Sequence, residues 1–120
     1  MTAQAFGDRL AALVRVGRET PGLELLLLFG SRARSESHRQ SDWDLAYLAP
    51  PHMDPATLRG RLVDVLGTDA IDLIDLTRAS GLLRFRAARD GQLVFEARPC
   101  LADEFRFEAA RFWYDAAPVL

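Results

Sequence analysis

The sequence has 120 residues, of which 49% are hydrophobic and 27% charged, and its formal net charge is −2. We expect one globular domain over residues 1–120 that buries its own core without disulfides, and the slight acidic balance argues against direct nucleic-acid binding. The single cysteine, Cys100, allows no internal disulfide and no apolar run approaches membrane-spanning length, so we expect a cytoplasmic protein with no membrane partner.

All fifteen basic residues are arginines, and the absence of lysine narrows the chemistry. It excludes Schiff-base mechanisms, ligases that adenylate a lysine, and the Walker phosphate-binding loop, because each of these needs a lysine. Any side-chain cation that meets a phosphate must therefore be an arginine, whose planar fork suits phosphate oxygens.

The chain begins with a predicted helix and a predicted buried strand. Residues from Thr2 to about Arg18 carry apolar side chains at helical spacing, and Thr20-Pro21-Gly22 ends this helix. The run from Leu23 to Phe29 is leucine-rich and would favour a helix by propensity alone. Its shortness between Pro-Gly and Gly30 favours a central strand instead.

The remaining elements follow from apolar spacing and from turn residues. In chain order we predict a short helix from Ser31, a strand over Asp42–Leu48, a helix between Asp54-Pro55 and Gly67, a strand over Ala70–Leu76, a helix over Ala79–Arg89, a strand over Gln92–Glu96 and a helix over Cys100–Ala116. This order predicts a small mixed β-sheet flanked by helices, an α/β (α+β) fold.

The strongest functional signal lies between the first two predicted strands. Gly30-Ser31 ends the first apolar run, and ten residues separate Ser31 from Asp42, with Asp44 two residues further on. Residues two apart on a strand share a face, so both carboxylates can meet a cation such as Mg²⁺. Gly30 would let the backbone approach a phosphate, and Ser31 would add a hydroxyl at a helix start. The alternative is a strand, turn and strand with a helix-capping serine and two solvated aspartates.

Gly30-Ser31 and Asp42-Trp43-Asp44, at this spacing, resemble the Gly-Ser…Asp-x-Asp signature of the polymerase-beta-like nucleotidyltransferase superfamily. Within it, the short chain and the form Gly-Ser-Arg-Ala-Arg…Ser-Asp-Trp-Asp-Leu are similar to the minimal nucleotidyltransferases, in particular the MntA-type adenylyltransferase antitoxins paired with HEPN-domain toxins. The resemblance covers nearly the whole chain and implies the nucleotidyltransferase fold.

A third carboxylate is expected from the strand over Ala70–Leu76. Asp72 and Asp75 are three residues apart and therefore on opposite faces, so only one can join the site. The resembling families place an acid within an apolar strand at this point, which matches Asp72. An isolated carboxylate among apolar neighbours needs a compensating partner. The alternative for Asp72 is a solvated acid on an edge strand, and Asp75 is expected to be a turn or helix-cap residue.

The resemblance implies a magnesium-dependent adenylyltransferase that uses ATP and releases pyrophosphate. The expected catalytic residues and metal ligands are Asp42, Asp44 and Asp72. Asp42 and Asp44 would hold two Mg²⁺ ions, and Asp72 would complete the site and help to orient or deprotonate the attacking hydroxyl. The expected nucleotide-binding residues are Gly30, Ser31 and Arg32.

Because 120 residues leave no room for a second substrate domain, the acceptor is expected to be a protein. The resemblance implies a tyrosine hydroxyl on a cognate HEPN-type toxin. The alternative is a non-catalytic, nucleotide-binding antitoxin that neutralises the toxin by docking.

The last predicted helix has more apolar surface than one face needs. On a helical wheel one stripe, expected to pack on the sheet with Trp113 at its margin, contains Leu101, Phe105, Ala109, Phe112 and Ala116. Phe107 and Tyr114 fall on nearly the opposite side, where exposed aromatic residues mark an interaction surface. We expect them to dock the cognate protein or a second copy of this chain; the alternative is two isolated surface aromatics or an irregular helix.

Overall fold

Helices flank both faces of a mixed sheet in a computed structural model of the chain, which describes residues 2–30 and 42–116. The elements are α1 (Ala3–Glu19), β1 (Leu25–Phe29), β2 (Trp43–Leu48), α2 (Pro55–Leu66), β3 (Ile71–Asp75), α3 (Gly81–Asp90), β4 (Gln92–Glu96) and α4 (Leu101–Ala116). Every predicted element within the described residues is confirmed, with ends that differ by at most two residues. The short helix predicted from Ser31 lies outside them. Among the described helices, none is long and apolar enough to cross a membrane.

The four strands in the described part of the chain lie in the order β3-β2-β1-β4. β1 pairs antiparallel with β2 and β4, whereas β2 and β3 run parallel. The predicted mixed sheet is therefore confirmed. β1 and β2 are its central strands, and β3 and β4 are its edges.

β1 is a strand despite its leucine content because both of its faces are covered. Leu26 and Leu28 pack in the core beneath α1 and α2, while Leu25 and Leu27 pack in the core beneath α3 and α4. All four side chains are fully buried. A strand that is covered on both faces needs an unbroken apolar run, and this requirement overrides the helical propensity of leucine.

The ends of the helices follow the local sequence signals. The Thr2 hydroxyl accepts from the Ala5 amide at 3.0 Å, and the Asp54 carboxylate accepts from the Ala56 amide at 3.0 Å. Gly67 ends α2 in the left-handed conformation, with φ 68°. These caps fix where α1 and α2 meet the sheet.

α4 packs on the sheet with its first half only. Leu101, Ala102, Phe105 and Ala109 are buried in the core beneath α3 and α4. The predicted burial of Phe112 is wrong, since 61% of its surface is exposed. The last turns of α4 instead meet α3, where Trp113 contacts Phe85. The side chain of Ala116 lies outside the described part of the structure.

The outer aromatic residues of α4 differ in their surroundings. Phe107 and Tyr114 are 66% and 70% exposed, as the helical wheel predicts. Trp113 stacks on Phe85 of α3 at a centroid distance of 5.7 Å, and Tyr114 meets the same ring edge-on at 5.8 Å. Tyr114 is thus not an isolated surface aromatic, and a docking role for the pair stays a prediction.

Candidate active site

The parallel pairing of β2 and β3 places Asp44 beside Asp72. Each is the second residue of its strand, so the two lie at the same end of the sheet. Ala46 and Ile74, two residues further along, both belong to the core beneath α3 and α4. Because side chains two apart share a face, Asp44 and Asp72 both project from this face.

Trp43 anchors the start of β2 between the two aspartates of the motif. Its side chain is buried in the core beneath α1 and α2, and its ring stacks on Phe6 at a centroid distance of 6.4 Å. The Trp43 amide donates to the Ala70 carbonyl at 2.9 Å, which continues the β2–β3 pairing to the first residue of β2. Asp42 directly precedes this anchored residue and is exposed. If the alternation of β2 continues to this residue, its side chain lies on the same face as that of Asp44.

The Asp44 carboxylate leaves no space for a side chain at Gly30. Its φ of 78° lies in the left-handed region, which favours glycine. A Cβ at this position would overlap Oδ2 of Asp44. The close approach expected between Gly30 and a phosphate is thus, in the structure, a close approach to Asp44. Ser31 and Arg32, predicted to bind the nucleotide, lie outside the described residues.

Burial and like charge act together on Asp44. Burial of this half-exposed carboxyl group is the largest cause of a raised pKa, followed by repulsion from Asp72 and then from Asp42. The same three residues that the sequence singled out therefore act on one another electrostatically. Asp44 is the centre of the group, since it is paired in register with Asp72 and the charges of both Asp72 and Asp42 act on it.

The aspartates supply the ligand type that a hard divalent cation needs. Mg²⁺ takes oxygen ligands, and a cation would relieve the repulsion that raises the pKa of Asp44. Over residues 2–30 and 42–116, however, no three His, Cys, Asp or Glu side chains are arranged to hold a metal ion. Asp42 and Asp72 both act electrostatically on Asp44, but the three aspartates do not form a coordination shell. Their chemistry fits Mg²⁺, and their role as metal ligands remains a prediction.

Strand register places Asp72 at this site, and burial does not contribute. Asp72 was expected among apolar groups, but it is exposed on the edge strand β3, the position that its alternative interpretation describes. Its position next to Asp44 comes from pairing between segments that α2 separates in sequence. Asp75 is a turn residue, as predicted: its carboxylate accepts from the Thr77 amide at 2.9 Å and lies 3.8 Å from the Arg78 guanidinium.

Two hydrogen bonds at the start of β3 were not expected from the sequence. Arg59 of α2 donates to the carbonyl oxygens of Asp69 and Ile71. No sequence signal marks this residue, because an arginine on the outer face of a helix is usually solvated. A groove of about 710 Å³ lies elsewhere, where β3 ends, and its lining residues include Thr77, Arg84 and Phe112 but none of the three aspartates.

The sequence of the chain is similar to a known protein family and to a curated protein. The family described as Polymerase beta, Nucleotidyltransferase matches residues 12–99 of the chain. A curated protein adenylyltransferase MntA from Aphanizomenon flos-aquae is 30% identical over 105 residues, an alignment that covers 78% of this chain and 70% of that protein.

Two solved toxin–antitoxin structures contain chains that superpose on this one. The first, a toxin–antitoxin with AMP-PNP, matches with a TM-score of 0.74 and 27% identity over 88% of this chain and 87% of that one. The second is a tri-AMPylated Shewanella oneidensis HEPN toxin in complex with an MNT antitoxin. It matches with a TM-score of 0.70 over 92% of this chain and 87% of that one, and its 24% identity shows a common fold.

Proposed function

The chain belongs to the polymerase beta nucleotidyltransferase family and is a relative of the MntA-type protein adenylyltransferases, and we propose that it is the antitoxin of a HEPN-domain toxin, to which it transfers AMP from ATP. The family predicted from Gly30-Ser31 and Asp42-Trp43-Asp44 is thereby confirmed, and with it the enzyme class. The observation that carries the proposal is the register pairing of Asp44 with Asp72.

ATP as the substrate is supported by the relative that contains AMP-PNP, an analogue of ATP, in a toxin–antitoxin complex. We propose that the nucleotide lies against the face of the sheet that carries Asp44, with the chain at Gly30 beside its phosphates. Ser31 and Arg32 follow Gly30 directly in sequence and are the proposed triphosphate contacts. An arginine suits this role because its fork can bind two phosphate oxygens.

The proposed reaction joins the acceptor oxygen to the α-phosphorus of ATP and breaks the bond between that phosphorus and the oxygen of pyrophosphate. Asp42 and Asp44 would hold Mg²⁺, which when bound would offset the negative charge of the phosphate oxygens. Asp72 is exposed and therefore open to an incoming hydroxyl. We assign it the orientation of that hydroxyl and the acceptance of its proton, which position and charge both suit.

The proposed acceptor is a tyrosine hydroxyl on the toxin. A phenol loses its proton to a base more readily than an aliphatic alcohol does, because its pKa is near 10, so its oxygen is more easily made into a nucleophile near neutral pH. An exposed Asp72 on an edge strand allows a side chain of another protein to approach, whereas a small-molecule acceptor would normally need an enclosing pocket. The structures of related toxin–antitoxin complexes support a protein partner.

The experiment is an intact-mass measurement of both chains after this protein and the product of the neighbouring gene are mixed with ATP and Mg²⁺. We expect the toxin to gain the mass of one or more AMP groups, and tandem mass spectrometry to place them on tyrosine. Asp44→Ala, or addition of EDTA, should abolish the gain. Toxin that is neutralised without any gain in mass would favour the alternative, a non-catalytic antitoxin that acts by docking.

A further inference from the structure

Arg59 fastens α2 to the start of β3. Its guanidinium donates from Nη1 to the Ile71 carbonyl at 2.9 Å and from Nη2 to the Asp69 carbonyl at 3.1 Å. The Ile71 carbonyl belongs to the peptide unit whose nitrogen is that of Asp72. One of the two bonds therefore ends on the backbone that carries the proposed catalytic carboxylate.

The two sides of β3 are held by different partners at this point. The Ala70 carbonyl accepts from the Trp43 amide of β2 at 2.9 Å. Successive carbonyls along a strand point to opposite sides, so the Ile71 carbonyl faces the outer edge of the sheet. β3 is an edge strand of the sheet, and within residues 2–30 and 42–116 no strand lies on its outer side to satisfy this carbonyl. Arg59 supplies the donor that a neighbouring strand would otherwise provide.

The helix that carries Arg59 is itself firmly seated. Leu58 and Leu62, on either side of Arg59 in sequence, are fully buried in the core beneath α1 and α2. A bidentate guanidinium on such a helix fixes two carbonyls at once, since its donors form a rigid plane. The outer edge of β3 is thus held by a helix that packs in the core, and does not face solvent alone.

We propose that Arg59 is a positioning residue: by holding the Ile71 carbonyl it keeps Asp72 in place beside Asp44. This inference rests on the proposed function, in which Asp72 orients the acceptor hydroxyl. Small displacements of a reacting group lower turnover strongly while leaving substrate binding nearly intact. Loss of Arg59 should therefore act on kcat more than on KM.

Arg61 provides a matched control on the same helix. Its Nη1 donates to the Glu19 carbonyl and lies 3.3 Å from the Thr20 hydroxyl, so it ties α2 to the end of α1. Both arginines bind backbone carbonyls from α2, but only Arg59 binds the strand that carries Asp72. If both arginines only stabilise the fold, replacing either one by alanine should change activity to a similar extent.

The first measurement is steady-state adenylyl transfer by the full chain with the toxin as acceptor. We expect Arg59→Ala to lower kcat by about ten- to a hundredfold, with the KM for ATP within about twofold of the natural value. Arg59→Lys should recover part of the loss, because one amine can hold one of the two carbonyls. Arg61→Ala should keep the natural kcat. Equal kcat values for Arg59→Ala and Arg61→Ala, in folded proteins, would overturn the inference.

The second measurement needs no activity: amide hydrogen exchange of the free chain, followed by NMR. The Asp72 amide should exchange faster in Arg59→Ala than in Arg61→Ala, while amides of β1 exchange equally in both. Natural exchange at Asp72 in Arg59→Ala would overturn the positioning role even where this variant transfers AMP more slowly. Faster exchange there, with no transfer by the natural chain, would support the positioning of Asp72 and overturn the proposed function.

Discussion

Asp44 and Asp72 occupy paired positions on neighbouring parallel strands, each one residue past the start of its strand. The pairing brings together two carboxylates from segments that the whole of α2 separates in sequence. Repulsion from Asp72 contributes to the raised pKa of Asp44. An unfavourable interaction of this kind, kept in a folded protein, is typical of a functional site.

Replacing Asp72 by asparagine should remove most adenylyl transfer, whereas the same replacement at Asp75 should not. Both changes remove one charge from β3, but Asp75 is three residues away on the opposite face, and asparagine can still accept from the Thr77 amide. We expect at least about a hundredfold loss for Asp72→Asn, the scale on which one electrostatic group acts in an active site. Initial rates of AMP incorporation into the toxin measure it. Comparable rates for the two variants would place Asp72 outside the site.

Gly30→Ala should destabilise the chain more than Gly67→Ala. Both glycines have a positive φ, 78° and 68°, so either alanine costs about 1–2 kcal/mol of backbone strain. At Gly67 nothing lies within 4 Å of the added Cβ, whereas at Gly30 the Cβ overlaps the Asp44 carboxylate. Urea unfolding of both variants should show the larger loss of unfolding free energy at Gly30.

A double-mutant cycle separates that overlap from backbone strain. In an Asp44→Ala background the carboxylate is absent, and the remaining Cβ of residue 44 lies at an ordinary distance of 3.4 Å. Gly30→Ala should then cost about as much as Gly67→Ala, because only the strain remains. Strictly additive free energies would contradict the contact between Gly30 and Asp44.

The sequence was sufficient to predict features that depend on short segments. The caps at Thr2 and Asp54 and the turn at Asp75 lie where local hydrogen bonding requires them. The spacing of Asp42 and Asp44 predicted a shared face, since alternation along a strand is a local property. The leucine-rich β1 was also predictable, because its length and flanking glycines excluded a helix.

Features that depend on packing between distant segments were not predictable. A helical wheel orders the residues of α4 but does not show how far the sheet extends beneath them, which is why the expected burial of Phe112 was wrong. The register of β3 against β2 decides that Asp44 meets Asp72, and no local pattern encodes it. The Arg59 contacts depend on the same register and on the seating of α2.

Asp44→Asn should stabilise the metal-free chain near neutral pH, and the gain should shrink in acid. Burial, Asp72 and Asp42 raise the pKa of Asp44 above 3.8 in the folded chain. The folded state then binds the proton more tightly than the unfolded state, so stability falls as pH rises from 3.8 through the raised pKa. Above the raised pKa the Asp44 carboxylate is ionised and lowers the free energy of unfolding by its full amount. The uncharged asparagine avoids this loss. Melting temperatures in EDTA across this pH range test it, and a gain independent of pH would contradict it.

Mg²⁺ together with ATP should raise the melting temperature of the natural chain and not that of Asp44→Ala. A ligand that binds only the native state stabilises it by about 2.7 kcal/mol at a hundredfold excess over its Kd. The carboxylates of Asp42 and Asp44 are the proposed ligands, so removal of one should abolish most of this effect. ATP with EDTA is the control for binding without metal. Equal thermal shifts in the two proteins would show that Asp44 does not contribute to the bound state.

Replacing Phe107 and Tyr114 by serine should weaken binding of the toxin while leaving nucleotide binding unchanged. Exposed aromatic side chains often supply a large share of binding energy at protein interfaces, so we expect at least a tenfold increase in Kd, about 1.4 kcal/mol. Phe107→Ser alone separates an effect on binding from an effect on folding more cleanly, because Tyr114 also contacts Phe85 and its loss removes a contact within the chain. Isothermal titration calorimetry with the toxin measures the affinity.

Phe112→Ser is the matched control for this surface. Phe112 is 61% exposed, close to the 66% of Phe107, but it borders the groove beside Gly81 on a different side of α4. Its replacement removes a similar apolar area without touching the proposed docking surface, so toxin affinity should stay near the natural value. If Phe112→Ser weakens toxin binding as much as the double replacement of Phe107 and Tyr114 does, the effect comes from the helix as a whole and not from Phe107 and Tyr114. If the double variant instead dissociates a homodimer and binds the toxin normally, the surface joins two copies of this chain.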